Sequence, residues 1–141
     1  MKVLREYSDA SLFYDQSNNI VKFVWNGVVS LETLKDLVLV TAEIVDNNNQ
    51  SYLLFDRREL ETYAPDAKDW IKNDFMKGDG KRLMKKIGKI GAISSKSTFA
   101  QLVSTLLMGV LKLYNRNMQY KMFDTPEQAI QWLKEKEAVA Q

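Results

Sequence analysis

Neither cysteine nor histidine occurs anywhere in the chain. Without cysteine there are no disulfides, no thiolate nucleophile and no thiolate metal ligand. Without histidine, the commonest general base and the commonest transition-metal ligand are both missing. Ser-His-Asp hydrolysis, Cys-His chemistry and the usual zinc sites are therefore excluded. An enzyme would have to work with carboxylates, lysine, tyrosine or a bound cofactor. Long apolar runs are lacking too. The N-terminal MKVLREYSDA has no apolar core of signal-peptide length. The most apolar stretch, Leu102 to Leu113, is too short for a bilayer and carries Lys112. These absences lead to the expectation of a soluble, cytoplasmic protein with no integral membrane segment. A charge surplus is missing as well: 20 Lys and Arg against 18 Asp and Glu is too balanced for bulk attraction to nucleic acid.

What is present fits an ordinary globular chain. The 141 residues are 45% hydrophobic and 27% charged, which predicts one domain over residues 1–141 with a real core. Leu12 to Tyr14 and Ile20 to Trp25 are β-rich runs around the turn formers DQSNN, a hairpin pattern, with Asn26-Gly27 closing the second strand. Ser30 is placed as a helix N-cap, and Leu34, Leu37, Val38, Thr41, Ile44 and Val45 recur at helical period until Asn47 to Asn49. Tyr52 to Phe55 reads as a strand buried on both faces. Pro65 opens a second helix with Ala67, Trp70, Ile71 and Phe75 inward. IGAI, residues 90–93, is a short strand, a long helix follows over about 98–115, and Tyr120 to Phe123 is a last strand. Thr125, Pro126 and Gln128 form a T-P-x-Q capping box for the final helix. The predicted order is β-β-α-β-α-β-α-β-α, an α/β fold with a mixed, mainly parallel sheet and helices packed against it.

Three stretches carry a resemblance to a known family: the strand ending LLFDRREL, the IGAISS strand before a long helix, and the ending YKMFDTPEQAIQWLKEK. Together they resemble STAS-like domains, the fold of bacterial anti-sigma-factor antagonists. The ending is similar to that of the lipid-carrier-like STAS branch, where a Phe-acid pair precedes an EEA-x-x-WL-like helix. Here those positions are Phe123-Asp124, Glu127, Ala129, Trp132 and Leu133. The resemblance implies a regulatory, non-enzymatic interaction module that needs no cofactor. In the antagonists, a serine in an Asp-Ser-small-Gly turn before the second helix is phosphorylated. This chain has ETYAPDAKDW there, with neither serine nor glycine between Arg57 and Trp70; Thr62 and Tyr63 are the only hydroxyls. The phospho-acceptor does not carry over.

Asp56, Arg57 and Arg58 fall at the C-terminal end of a predicted parallel strand, where α/β sheets place ligands. With Glu59, Glu61 and Asp66 they make either a charged binding mouth or a solvated connecting loop. Those acids follow no calcium-loop pattern, and the GDGK at 78–81 lacks Walker spacing. The basic run Lys77, Lys81, Arg82, Lys85, Lys86 and Lys89 is either an amphipathic helix with a solvated lysine face or a dock for an acidic partner or membrane surface, with Leu83, Met84 and Ile87 as the apolar side. The 98–115 helix, with Leu102, Leu106, Leu107, Val110 and Leu111, is apolar around most of its girth and needs burial on two sides. Two functions are open. The first is an interaction module that binds a protein partner, or a second copy of itself, through the 56–66 loop beside Ser95 and the face carrying Leu107. The second is a small carrier or sensor that holds an apolar or anionic, lipid-like ligand between the long helix, at Leu106 and Val110, and the sheet, with Arg57 and Arg58 meeting its head group.

Overall fold

The computed structural model describes residues 1–93 and 115–135. Among these residues, six strands form one sheet in sequence order. They are β1 (Lys2–Glu6), β2 (Ala10–Asp15), β3 (Ile20–Val29), β4 (Ser51–Tyr63), β5 (Ile87–Ile93) and β6 (Gln119–Phe123). The β1–β2 and β2–β3 pairs are antiparallel, whereas the β3–β4, β4–β5 and β5–β6 pairs are parallel. The sheet is therefore mixed, as the alternating strands and helices predict. The N-terminal strand β1 was not anticipated; its residues are mostly exposed, so the apolar pattern that marks a strand is weak there.

The first helix, α1 (Leu31–Asp46), starts where the capping logic puts it. Ser30 Oγ accepts the Thr33 amide at 3.2 Å, and Asn47 ends the helix. A second cap was missed: Asp9, in the turn between β1 and β2, accepts the Ser30 amide at 2.9 Å and the Thr33 hydroxyl at 2.8 Å. The connection from β4 to β5 is built from three short pieces, α2 (Pro65–Trp70), a π-helical turn (Ile71–Phe75) and α3 (Asp79–Met84). Thr125 caps α4 (Pro126–Lys134) by accepting the Gln128 amide at 3.3 Å.

Two expectations need correction. Asn26-Gly27 does not end β3; Gly27 takes φ +64 within a bulge and pairing resumes to Val29. The Asp56 to Asp66 stretch is not a loop, because β4 continues to Tyr63, paired with Val29. Glycine and a mixed-charge run look like breakers locally, but the parallel pairing of β3 with β4 supplies the backbone partners that override them.

The sheet separates two apolar clusters. Its front packs α1, α2, the π-turn and α3 over Phe23, Trp25, Leu53 and Ile90. Its back packs α4 over Ile20, Leu54 and Ile93 through Ala129 and Leu133. Successive side chains on β4 alternate between these faces, and that alternation positions the site.

Candidate ligand cavity

On the front of the sheet lies a cavity of about 130 Å³. Its floor is made by strand residues at period two: Phe23 and Trp25 on β3, and Leu53, Phe55 and Arg57 on β4. Its roof comes from Leu34 and Val38 on α1, Trp70, Ile71 and Phe75 from α2 and the π-turn, and Leu83 and Met84 on α3. Rings dominate. Phe23 stacks on Trp25 at 5.3 Å, Phe55 tilts against Phe23 at 5.1 Å, and Tyr63 meets Trp25 edge-on at 5.6 Å. Trp70 and Phe75 pair across the roof at 5.5 Å. A π-helical turn is an uncommon element that often marks a functional site, and here it carries the roof positions Ile71 and Phe75, with Met76 directly after it.

Arg57 is the single charged residue among the described residues lining the cavity. It is 2% exposed, and its Nε and Nη2 atoms have no hydrogen-bond partner. No described carboxylate forms an ion pair with it. Beside it stand the phenols of Tyr63 and Tyr120. Burial pushes both above the ordinary tyrosine range, against a downward pull from Arg57, so both remain protonated donors at neutral pH.

The neighbouring charges behave differently. Asp56 and Arg58 point to the back of the sheet, one residue out of phase with Arg57. Arg58 Nε and Nη2 donate to the two Asp56 carboxylate oxygens at 3.0 and 2.7 Å. Burial raises the Asp56 carboxyl, but the Arg58 hydrogen bonds outweigh it and hold the group below the ordinary aspartate range. Arg57 and Arg58 therefore cannot share one head group, as the sequence suggested; the strand's alternation sends them to opposite faces.

A family model described as SpoIIAA-like matches residues 20–134. The chain belongs to the SpoIIAA-like family. A solved structure, an uncharacterized protein from the DUF3478 family with a SpoIIAA-like fold from Shewanella loihica PV-4, is similar to it. The TM-score is 0.62 at 15% identity, over 88% of this chain and 91% of that one, and so bears on the fold alone. No match is found among curated proteins. The STAS-like reading of the sequence is thus correct, and this fold is generally non-enzymatic.

Within this SpoIIAA-like domain the remaining candidates are dispersed. Thr62 is half-buried and its hydroxyl donates to the Tyr63 carbonyl at 3.4 Å. Ser95, Leu107 and Val110, with the whole 98–114 stretch, lie outside the described residues. Glu59, Glu61 and Asp66 are exposed, and no acid cluster suited to a metal occurs among the described residues. The basic run is partly structural: Arg82 pairs with Asp46 and lies 3.6 Å from Asp79, and Lys86 donates to the Asp46 carbonyl at 3.3 Å. No described helix is long and apolar enough to cross a membrane. Sequence reasoning missed the lining residues Trp25, Met84 and Tyr120. The period-two series Phe23-x-Trp25 and Leu53-x-Phe55-x-Arg57 was the signal, since it puts three aromatic rings and one cation on a single face.

Proposed function

We propose that the protein is a STAS-type carrier or sensor of a small, largely apolar molecule, held between the sheet and helices α1 to α3. The observation that supports this is the aromatic-lined cavity, an unfilled space in a core that would otherwise close to crystal-like density. The site expected from sequence, between the 98–115 helix and the sheet, falls largely outside the described residues; the described cavity alone supports the carrier reading. SpoIIAA-like domains usually bind protein partners. We infer that such docking responds here to the ligand and not to phosphorylation. The α2 N-cap is Ala64, with Pro65 next, and neither offers a hydroxyl to modify.

The test is a titration with benzyl alcohol, followed by tryptophan fluorescence in a Trp132→Phe background. Trp25 and Trp70 line the cavity, whereas Trp132 belongs to the back face, so the remaining signal reports the site. Saturable quenching or a spectral shift is expected, and Val38→Phe, which fills the space from α1, should abolish it. A flat titration, or one that Val38→Phe leaves unchanged, would sink the proposal.

A further inference from the structure

We propose that the cavity selects a small monocarboxylate, of benzoate or hexanoate size, through the side-on edge of the Arg57 guanidinium. This deepens, and rests on, the reading of the cavity as a ligand site. Four observations point to it. First, the guanidinium is taken out of water with no counter-charge among the described residues; an uncompensated buried ion costs several kcal/mol, which an arriving anion would relieve. Second, the two unpartnered atoms, Nε and Nη2, form one edge of the planar group. That edge presents two parallel N–H donors, the fork that matches the two oxygens of a carboxylate. Third, the rest of the described lining is aromatic and aliphatic, with only Tyr63, Tyr120 and Thr41 adding hydroxyls. One cation in such surroundings suits a single negative charge; a dianion would enter with half its charge unmet. Fourth, about 130 Å³ is close to the roughly 150 Å³ of an apolar cavity that takes up benzene.

The sequence closes an obvious alternative. Between Ile93 and Asn115 there is no aspartate or glutamate, so that segment has no side-chain carboxylate with which to neutralise Arg57. Asp56, the nearest acid in the chain, is committed to Arg58 on the other face.

Two matched pairs of probes decide the matter: benzoate against benzyl alcohol, and hexanoate against 1-hexanol, titrated calorimetrically at neutral pH. Each acid is expected to bind roughly 10-fold to 100-fold more tightly than its alcohol, the usual worth of charge-assisted hydrogen bonds. Arg57→Met should erase that preference while the alcohols still bind. Arg57→Lys, which keeps the charge but loses the fork, should retain only part of it, and it stands in if the methionine variant does not fold. Alcohols binding as well as acids to the wild type, or both classes weakening equally in Arg57→Met, would overturn the carboxylate assignment and leave the ligand cavity standing. If none of the four probes binds, the cavity reading falls as well.

Discussion

Among the described residues, the two faces of the sheet each bury one cation, and they treat it in opposite ways. On the back, Lys89 of β5 is 3% exposed and its Nζ donates to the Trp132 and Glu135 carbonyls at 2.9 and 2.8 Å. Those carbonyls end α4, where the helix dipole concentrates negative charge, and the Trp132 ring lies 5.0 Å from the same Nζ. The lysine is thereby part of how α4 docks. On the front, Arg57 of β4 is as deeply buried, yet two of its donors have no partner and the residue lines an apolar cavity. The fold is able to satisfy a buried cation with local backbone. At Arg57 it does not, and an unsatisfied, expensive group retained beside a cavity is better suited to a ligand than to stability.

Stability measurements in urea sharpen that contrast most strongly. Lys89→Met removes two charge-assisted hydrogen bonds and is expected to destabilise the protein by about 2–3 kcal/mol. Arg57→Met replaces a lone buried charge with an apolar chain of similar length and should stabilise the ligand-free protein by about 1–2 kcal/mol. Opposite signs from two buried cations would establish the difference between the faces. A loss at Arg57 comparable with that at Lys89 would break it, since Arg57 would then be holding the fold together.

Much of this architecture was legible in the sequence because local chemistry and tertiary context agreed. Ser30, Pro65 and the Thr125-Pro126 pair each mark a helix start, and their roles depend on neighbours only a few residues away. What was not legible depended on partners remote in sequence. The mixed charges from Asp56 to Glu61 read as a loop until β3 lies beside them. Arg57 and Arg58 read as one basic pair until the pleat divides them. That Arg58 is matched and Arg57 is not follows from the alternation of a strand whose existence at those residues the charges themselves concealed. Asp9 as a cap for α1 was hidden for the same reason, 21 residues from the amide that it accepts.

Two glycines give a second, smaller comparison. At Gly80 on α3, an added Cβ would come within 2.7 Å of the Phe75 carbonyl oxygen and ring, so the roof of the cavity must move. Alanine normally gains in a helix, but here Gly80→Ala should cost about 1–3 kcal/mol and weaken probe binding. At Gly91 on β5, the same atom meets Ala129, Phe123 and Leu133 at 3.6–3.7 Å, ordinary contact on the back face. Gly91→Ala is expected to be neutral or stabilising by about 0.5 kcal/mol. A destabilising Gly91→Ala beside a tolerated Gly80→Ala would mean that the back face, not the front, is the tighter and more constrained packing.

The faces should also fail at opposite ends of the pH scale. On the back, Asp56 has a folded pKa held below its unfolded value; so do Asp9, which caps α1 at the edge of the front face, and Asp15 at the end of β2. A depressed carboxylate contributes stability that is full above the unfolded value of about 3.9 and is lost as pH falls through the folded one. On the front, Tyr63 and Tyr120 have folded values raised by burial; their contribution is full below about pH 10 and is lost as pH climbs from there toward the folded values. Urea midpoints measured across pH should therefore show an acid limb that Asp56→Asn makes shallower, with Asp9 and Asp15 supplying the remainder. They should show an alkaline limb that Tyr63→Phe makes shallower, with Tyr120 supplying part of the rest. If Asp56→Asn left the acid limb unchanged, the Arg58 pair would not be holding that carboxylate ionised. Arg57 would then have a candidate partner one residue away, and the contrast between a satisfied back and an unsatisfied front would lose its basis.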